Sequence, residues 1–377
     1  MALTERYVTT TGAGAHTGVD EANAFSWAEM ITDSATSAAG TRYNIKNNGT
    51  YARTTTTETL TGGTATSPKI YRGYSVTPGD GYLGRTNGTE DLISTNMPVV
   101  TYTTGRLAMG AQTIVESLNL TSAHTASSGT LLAQASCLIT RCIVNCTGTS
   151  TTTSLAISGN SANQLWILNN DISQTASSGT PTAMRALSNT KISGNRIWAT
   201  RGTAIELNVS GTPVITNNLI YNSVTGINGS SAPAPWIGYN TITGCSGDAI
   251  VMANGTIPII FGNMITDNGG WGVNFTAANI GMVAYNRLRD NASGNYNNAT
   301  DWVAAMSYGD VTTDTGGPST DYVDSSGGDF MLVATSLGVS AAFPFASSMG
   351  AFQRSQTASL APSPLISTLV QSVANGT

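Results

Sequence analysis

The chain has 377 residues and a net charge of −5; 10% of its residues are charged and 40% are hydrophobic. Thr, Ser, Asn and Gly account for 168 residues, a balance that favours short strands and tight turns and differs from that of disordered chains. The weak acidity argues against nucleic-acid binding, and no apolar run approaches the roughly 20 residues needed for membrane insertion.

Residues 1–35 are predicted to form a strand followed by a short helix. Phe25, Ala28 and Ile31 recur at helical spacing, so the helix is expected from Ala24 to Ile31. Met1 is not followed by a basic and then an apolar segment, which predicts synthesis in the cytosol. An extracellular location is the alternative if an export signal has been removed.

A repeat dominates the middle of the chain, degenerate from residue 36 to about 135 and regular from about 136 to 300. The triplet Asn-x-Ile/Leu recurs every 22 to 25 residues, at Asn170, Asn195, Asn218, Asn240, Asn263 and Asn286. A second apolar anchor follows four of these asparagines by nine or ten residues, and a third precedes each of them. Three short apolar strands per coil of about 22–25 residues predict an all-β fold, a single-stranded parallel β-helix over residues 36–300.

The recurring asparagines are predicted to form a ladder along the stack of coils. Each is expected at a left-handed turn, because Asn tolerates a positive φ. Each side-chain amide is then expected to bond to the equivalent Asn one coil away.

The two C-terminal segments are predicted to cover exposed edges. Residues 301–354, with Asp-rich turns between 310 and 329, are expected to close the stack, because an open strand edge would recruit further chains. In residues 355–377 a short helix is predicted from Ser363-Pro364, with Ile366, Leu369, Val370 and Val373 at helical spacing. A helix this short is stable only when it packs against other residues. This tail is therefore expected to dock on its own chain or on another subunit.

Both ends of the chain resemble right-handed parallel β-helix proteins of the pectate-lyase type. The stretches that carry the resemblance are Tyr7-Val8, Gly12 to Gly18, Ala24 to Glu29, Gly40, Tyr43 to Lys46, Gly49 to Tyr51, Ser67 to Tyr74, Gly328 to Leu332 and Gly350 to Arg354. The resemblance covers roughly residues 7–354 and implies a right-handed coil whose N-terminal end is capped by the helix. It specifies the fold and not the activity, since this superfamily contains lyases, hydrolases, adhesins and phage spikes.

Candidate catalytic groups are few. Asp267 and Asp290 occupy the same position in neighbouring repeats, so their carboxylates are expected to stack about 4.8 Å apart. Such a pair would raise one pKa or attract a cation, whereas Arg289 beside Asp290 would neutralise it. Glu206 and Asp248 fall at different positions of the repeat.

Other chemistry-bearing residues are predicted to be structural. The four cysteines lack the close pairs of most zinc sites and are expected to be buried free thiols. Trp271, Tyr221, Tyr239 and Tyr285 are candidates for stacking on sugars, although packing is the favoured interpretation. No metal or cofactor site is predicted.

Two functions compete at this stage. The first is a structural virion protein, such as a phage spike, fibre or capsid decoration. It is expected to form a homotrimer, to bind other virion proteins and to contact cell-surface carbohydrate. The motifs at both ends are most like those of phage particle proteins, and such particles assemble in the host cytoplasm. The alternative is a lyase or hydrolase that cleaves a surface polysaccharide, with Asp267 and Asp290 as its catalytic candidates.

Overall fold

The computed structural model describes most of residues 3–297 and one short strand pair near the C-terminus. The described ranges are 3–54, 57–81, 94–124, 129–149, 154–159, 164–186, 189–207, 211–230, 234–253, 256–276 and 281–297, with 322–324 and 329–332. Most of the predicted closing cap at 301–354 lies outside these ranges. The tail with Ile366, Leu369, Val370 and Val373 lies wholly outside them.

The described strands form three long parallel sheets, called here A, B and C. Sheet A consists of Thr4–Val8, Thr41–Lys46, Lys69–Tyr74, Thr113–Glu116, Leu138–Thr140, Trp166–Leu168, Lys191–Ser193, Val214–Thr216, Trp236–Gly238, Ile259–Phe261 and Met282–Ala284. Sheet B consists of Thr50–Arg53, Val99–Tyr102, Asn119–Ser122, Ile143–Cys146, Asp171–Gln174, Arg196–Ala199, Leu219–Tyr221, Thr241–Thr243, Met264–Thr266 and Arg287–Arg289. Sheet C consists of Thr57–Leu60, Arg106–Met109, Leu131–Ala133, Leu155–Gly159, Thr182–Ala186, Thr203–Leu207, Thr225–Gly229, Ile250–Met252, Trp271–Phe275 and Gly294–Asn297. Tyr322–Asp324 and Asp329–Leu332 form a separate antiparallel pair.

The chain visits sheets A, B and C in turn, and each strand pairs in parallel with the strand one coil away. Complete coils begin at Thr41–Lys46, upstream of the regular repeat at about residue 136. From Trp166 onward, successive partners in sheet A lie 22 to 25 residues apart. The predicted all-β parallel β-helix is therefore confirmed.

The core is a column of apolar side chains from each sheet. In sheet A the column includes Ile167, Ile192, Ile215, Ile237 and Ile260, each fully buried and in register with the next. Burying each such side chain contributes about 1.5–3 kcal/mol, and repeating it on every coil fixes which face of each strand points inward.

The N-terminal helix spans Trp27–Thr36 and not Ala24 to Ile31 as predicted. Ser26 is its N-cap, and Glu29 completes a capping box with it, so the helix starts at the first residue after Ser26. Trp27 and Met30 are its buried apolar residues, and Trp27 donates from Nε1 to Oε2 of Glu58 at 2.8 Å. The predicted Phe25 lies before the helix, in an isolated parallel bridge with Val8. Two short 3-10 helices, Glu21–Asn23 and Ser94–Asn96, complete the helical content of the described residues.

The structure places the six asparagines in one fully buried column between sheets A and B. Each Nδ2 donates to the Oδ1 of the next Asn at 2.9–3.0 Å, from Asn170 through to Asn286. The expected reason for their position was wrong, because the ladder residues do not have positive φ. The left-handed residue is the one before each of them, at Asn169, Gly194, Asn217, Tyr239, Gly262 and Tyr285.

A second, shorter ladder lies between sheets B and C. Asn268 donates from Nδ2 to Oδ1 of Asn291 at 2.8 Å, and its own Oδ1 accepts the backbone N–H of Cys245 at 3.0 Å. Two corners of the coil are thus fixed by buried amides. Within the described residues, no helix has the length and apolar character needed to cross a membrane.

Candidate functional site

From Asp171–Gln174 to Arg287–Arg289 the outer face of sheet B is almost completely buried. Its outward side chains alternate with the core column, yet Leu219, Met264 and Arg287 are at most 1% exposed. Arg196 lies over the ring of Tyr221 at 4.8 Å, and Trp198 packs against the same ring at 5.4 Å. Tyr221 is therefore a packing residue, in line with the favoured interpretation of its sequence position.

The outer face of sheet C is partly exposed and carries polar side chains on most of the regular coils. One side chain per coil falls into a straight row, called here the polar row, whose members are Arg185, Glu206, Asn228, Val251, Asn274 and Asn297. Five coil steps separate its ends, about 24 Å. The row is long enough to lie beside several linked sugar rings.

Asp248 organises the upper end of the polar row from a position beside it. Its Oδ1 accepts the backbone N–H of Trp271 at 2.6 Å, and its Oδ2 accepts Nδ2 of Asn274 at 2.6 Å. Asn297 in turn donates from Nδ2 to Oδ1 of Asn274 at 3.0 Å. The three side chains hold one another in fixed orientations across three coils.

Trp271 adds an aromatic surface next to these amides. Its ring lies against Gly294 of the next coil, where a Cβ atom would come within 2.7 Å of Cζ3. Gly294 also has a φ of 123°, a conformation that other residues rarely adopt. Glycine is thus required for the indole to lie along the coil surface, partly exposed beside Asp248.

The lower end of the polar row is an ion pair. Arg185 contacts Oε2 of Glu206 through Nη2 at 2.9 Å and through Nε at 3.0 Å, with both side chains 20% exposed. Together with Asp248, the Arg185–Glu206 pair gives this part of the face a net charge of −1. It offers amide and carboxylate groups to hydroxyls and no excess of positive charge to an acidic polymer.

Asp267 and Asp290 lie in equivalent left-handed turns of neighbouring coils between sheets B and C, with φ of 59° and 52°. Arg289 forms an ion pair with Asp290 at 2.7 Å, as the sequence allowed. The two aspartates form a column of turn residues between sheets B and C, called here the turn column. The polar row lies on sheet C, which follows this turn in the chain.

This face was not predicted from the sequence, because most of its polar groups are amides and its carboxylates do not share one position of the repeat. Glu206, Asn228, Val251 and Asn274 each come directly after the second apolar anchor of their repeat, and three of the four are polar. Asp248 occupies a different position, but its side chain reaches the row through Asn274.

Within the described residues there is no group of three or more His, Cys, Asp or Glu side chains that could hold a metal ion. A shallow depression lies over the N-terminal helix, lined by Phe25, Ala28, Glu29, Thr32, Asp33 and Thr36. It is far from the polar row in the coil order.

Comparison with known proteins shows the fold. Residues 183–301 match the family model of a right-handed β-helix region. The crystal structure of pectate lyase Pel9A has a TM-score of 0.67 and 14% identity, with 94% of this chain and 97% of that chain covered. The described residues therefore have the right-handed parallel β-helix fold of pectate lyases. No curated protein matches it significantly.

Two further solved structures have lower similarity. The polysaccharide lyase Pedsa3628 from Pseudopedobacter saltans has a TM-score of 0.37 at 10% identity, covering 78% of this chain and 93% of that chain. Tailspike protein 3 of bacteriophage CBA120 has a TM-score of 0.20 at 10% identity, covering 82% and 62%. At these TM-scores neither likeness carries an argument about function.

Proposed function

We propose that this chain is a polysaccharide-binding β-helix that holds a glycan chain lengthwise on the outer face of sheet C. The observation that carries the proposal is the hydrogen-bonded set Asn297–Asn274–Asp248 beside the partly exposed Trp271. Oriented amides and carboxylates match sugar hydroxyls, and an indole face matches the apolar face of a sugar ring. The whole-chain likeness to a pectate lyase supports a polysaccharide as the ligand class.

The charge of the face favours a neutral, hydroxyl-rich glycan. Arg185 is paired with Glu206, and Asp248 adds a further negative charge. A polymer of uronic acids would bring like charges together on this face, which opposes binding. The proposed ligand is therefore neutral, unlike the acidic pectate in the name of the similar enzyme.

Affinity electrophoresis tests the proposal, with the chain run through gels that contain dextran, galactomannan, pectate or alginate. We expect at least one neutral polymer to retard the chain, and Trp271→Ala to weaken that retardation about fivefold or more, because it removes a stacking surface worth roughly 1 kcal/mol or more. The matched control is Trp198→Ala, a partly exposed tryptophan on sheet B. Equal loss in both variants, or no retardation by any polymer, would contradict the proposal.

Cleavage is the second candidate function, and the likeness to pectate lyase Pel9A is what supports it. Lyase action creates unsaturated sugar ends that absorb in the ultraviolet, and hydrolysis creates reducing ends. If the chain cleaves, Asp290→Asn tests the turn column, and Asp248→Asn tests the sheet C face. If neither substitution changes product formation, neither the turn column nor the sheet C face contains the catalytic carboxylate.

The position on a virion stays a prediction from the sequence. A spike, fibre or capsid decoration that touches host glycans would use the same sheet C face, so glycan binding and a structural virion role are compatible. Incorporation of the tagged chain into particles of a candidate host phage is the measurement that decides this placement.

A further inference from the structure

The outer face of sheet A carries three of the exposed large apolar side chains of the regular coils. Trp236, Ile259 and Met282 occupy the same strand position on three consecutive coils and are 47%, 36% and 37% exposed. Gly238 makes room for the indole, since a Cβ atom there would lie 2.9 Å from Nε1 of Trp236. The three residues form a continuous strip, called here the apolar strip.

An aromatic ladder borders the apolar strip. The ring of Phe261 meets Tyr239 edge-on at 5.5 Å and Tyr285 at 5.6 Å. None of the four strands from Val214–Thr216 to Met282–Ala284 contains a charged residue. An uncharged surface with exposed Trp, Ile and Met is typical of the centre of a protein–protein interface and offers few partners to sugar hydroxyls.

The opposite end of the same face is charged. Arg42 donates from Nε to Oε2 of Glu5 at 3.0 Å, and Arg72, one coil further along, is in register with Glu116 on the coil after that. Lys46 adds a cation at this end, paired with Glu21, and Lys191 lies midway along the same outward row, between Trp166 and Val214. Sheet A is therefore polarised along the coil axis, with an ionic end and an apolar end. If two copies pack with their coil axes parallel, the apolar end of one face contacts the apolar end of the other, and the two ionic ends contact each other. Antiparallel packing would press the apolar strip onto charges and remove them from water without compensation.

The size of the face fits such a contact. Eleven strands span about 48 Å, and strands of three residues are about 10 Å wide, so two copies would cover roughly 1,000 Å² in total. A specific interface buries at least about 1,000 Å², so the two copies would have to contact each other along most of the length of this face.

We propose that copies of this chain associate side by side through the outer face of sheet A, with their coil axes parallel. This placement is independent of glycan binding on sheet C, so either proposal can fail alone. A closed arrangement about an axis parallel to the coils gives a dimer or the trimer predicted from the sequence.

Light scattering of the full chain over a wide concentration range is the first test. We expect a mass of two or three times 38.8 kDa. Ile259→Asp should weaken association at least about tenfold, because it buries a charge in the contact. Val224→Asp is the matched control, since Val224 is 38% exposed but lies outside sheet A. A wild-type chain that remains at 38.8 kDa throughout, or equal weakening by both substitutions, would overturn the proposal.

Cross-linking tests the orientation. In a parallel assembly a Met282→Cys chain should cross-link to itself through a short bismaleimide, because equivalent residues lie at the same height. In an antiparallel assembly the Met282 strand would lie near the partner's first strand, about 48 Å along the face. Cross-links that form only between Met282→Cys and Glu5→Cys chains would refute the parallel arrangement.

Discussion

Each ladder asparagine from Asn170 to Asn263 satisfies buried groups on three successive coils. Asn240 donates from Nδ2 to Oδ1 of Asn263 and to the carbonyl oxygen of Ile215, while its Oδ1 accepts both the backbone N–H and Nδ2 of Asn218. Only a side-chain amide of this length offers two donors and an acceptor together. Asp lacks the donors, and Ser is too short to reach both neighbours.

Removing one ladder amide should destabilise the whole stack. Asn240→Ala leaves several fully buried groups without partners, each costing about 1–3 kcal/mol, so we expect a loss of at least about 3 kcal/mol in the free energy of unfolding. Asn228→Ala, on the partly exposed polar row, should change the free energy by less than about 0.5 kcal/mol. Urea denaturation followed by circular dichroism measures both, and similar losses in the two variants would show that the ladder is not what stabilises the coil.

The ladder column could be predicted from sequence because one residue type recurs at one spacing. The left-handed residue that precedes it could not, because that position holds Asn, Gly or Tyr from coil to coil. Tyr239 and Tyr285 adopt a positive φ that bulky residues seldom adopt, so the conformation is imposed by the coil and not by local preference. The error concerned which residue makes the turn, and the column itself was unaffected.

At the level of elements, the helix shows which signal was overlooked. Apolar spacing pointed to Phe25, Ala28 and Ile31, yet the spacing of Ser26 and Glu29 marks a capping box that starts the helix later. The sheet C site was missed for a different reason. Its side chains come from three successive coils and from different positions of the repeat. Only the structure shows that Asn274 bonds to Asp248 and so links it to the polar row.

The capping box predicts a specific dependence of stability on pH. Hydrogen bonds from His16, and then from the backbone N–H and hydroxyl of Ser26, lower the pKa of Glu29 from 4.5 to about 2. Because this pKa is lower in the folded state, the stabilisation is complete above pH 4.5 and is lost as the pH falls towards 2.

The variant Glu29→Gln isolates this contribution. The difference in unfolding free energy between wild type and variant should be about 1 kcal/mol or less near neutral pH, since the carboxylate is 42% exposed and screened. It should shrink between pH 4.5 and 2, as measured by urea denaturation at each pH. A difference that stays constant over this range would mean that the Glu29 carboxylate does not stabilise the helix start through its charge.

For the whole molecule, the uniform coil geometry makes stability a property of the stack. In the described residues each coil bonds chiefly to the coils on either side, so a defect in one coil weakens two interfaces. On the later coils the three sheets nevertheless present different outer faces, which are buried on sheet B, apolar on sheet A and partly polar on sheet C. Together, the two proposals describe a rigid rod that associates through sheet A and binds its ligand on sheet C.

The cysteines report on whether the stack opens as a unit. All four are free and buried, and burial raises the pKa of the Cys142 and Cys245 thiols to about 12. The thiolate is the reactive form, so both burial and pKa protect these groups in the native state. Cys142 lies between sheets A and B and Cys245 between sheets B and C, four coils further along the stack.

We therefore expect native chain to resist labelling by a maleimide, and Cys142 and Cys245 to become reactive over the same urea range in which the circular dichroism signal is lost. Peptide mass spectrometry after quenching separates the two sites. Val224→Cys supplies an exposed thiol that should react at once without urea. If Cys245 reacts well before Cys142, the stack opens coil by coil from one side, because neighbour-only contacts allow fraying when the coil interfaces are weak. Simultaneous reaction would show that the buried ladders couple the coils into one cooperative unit.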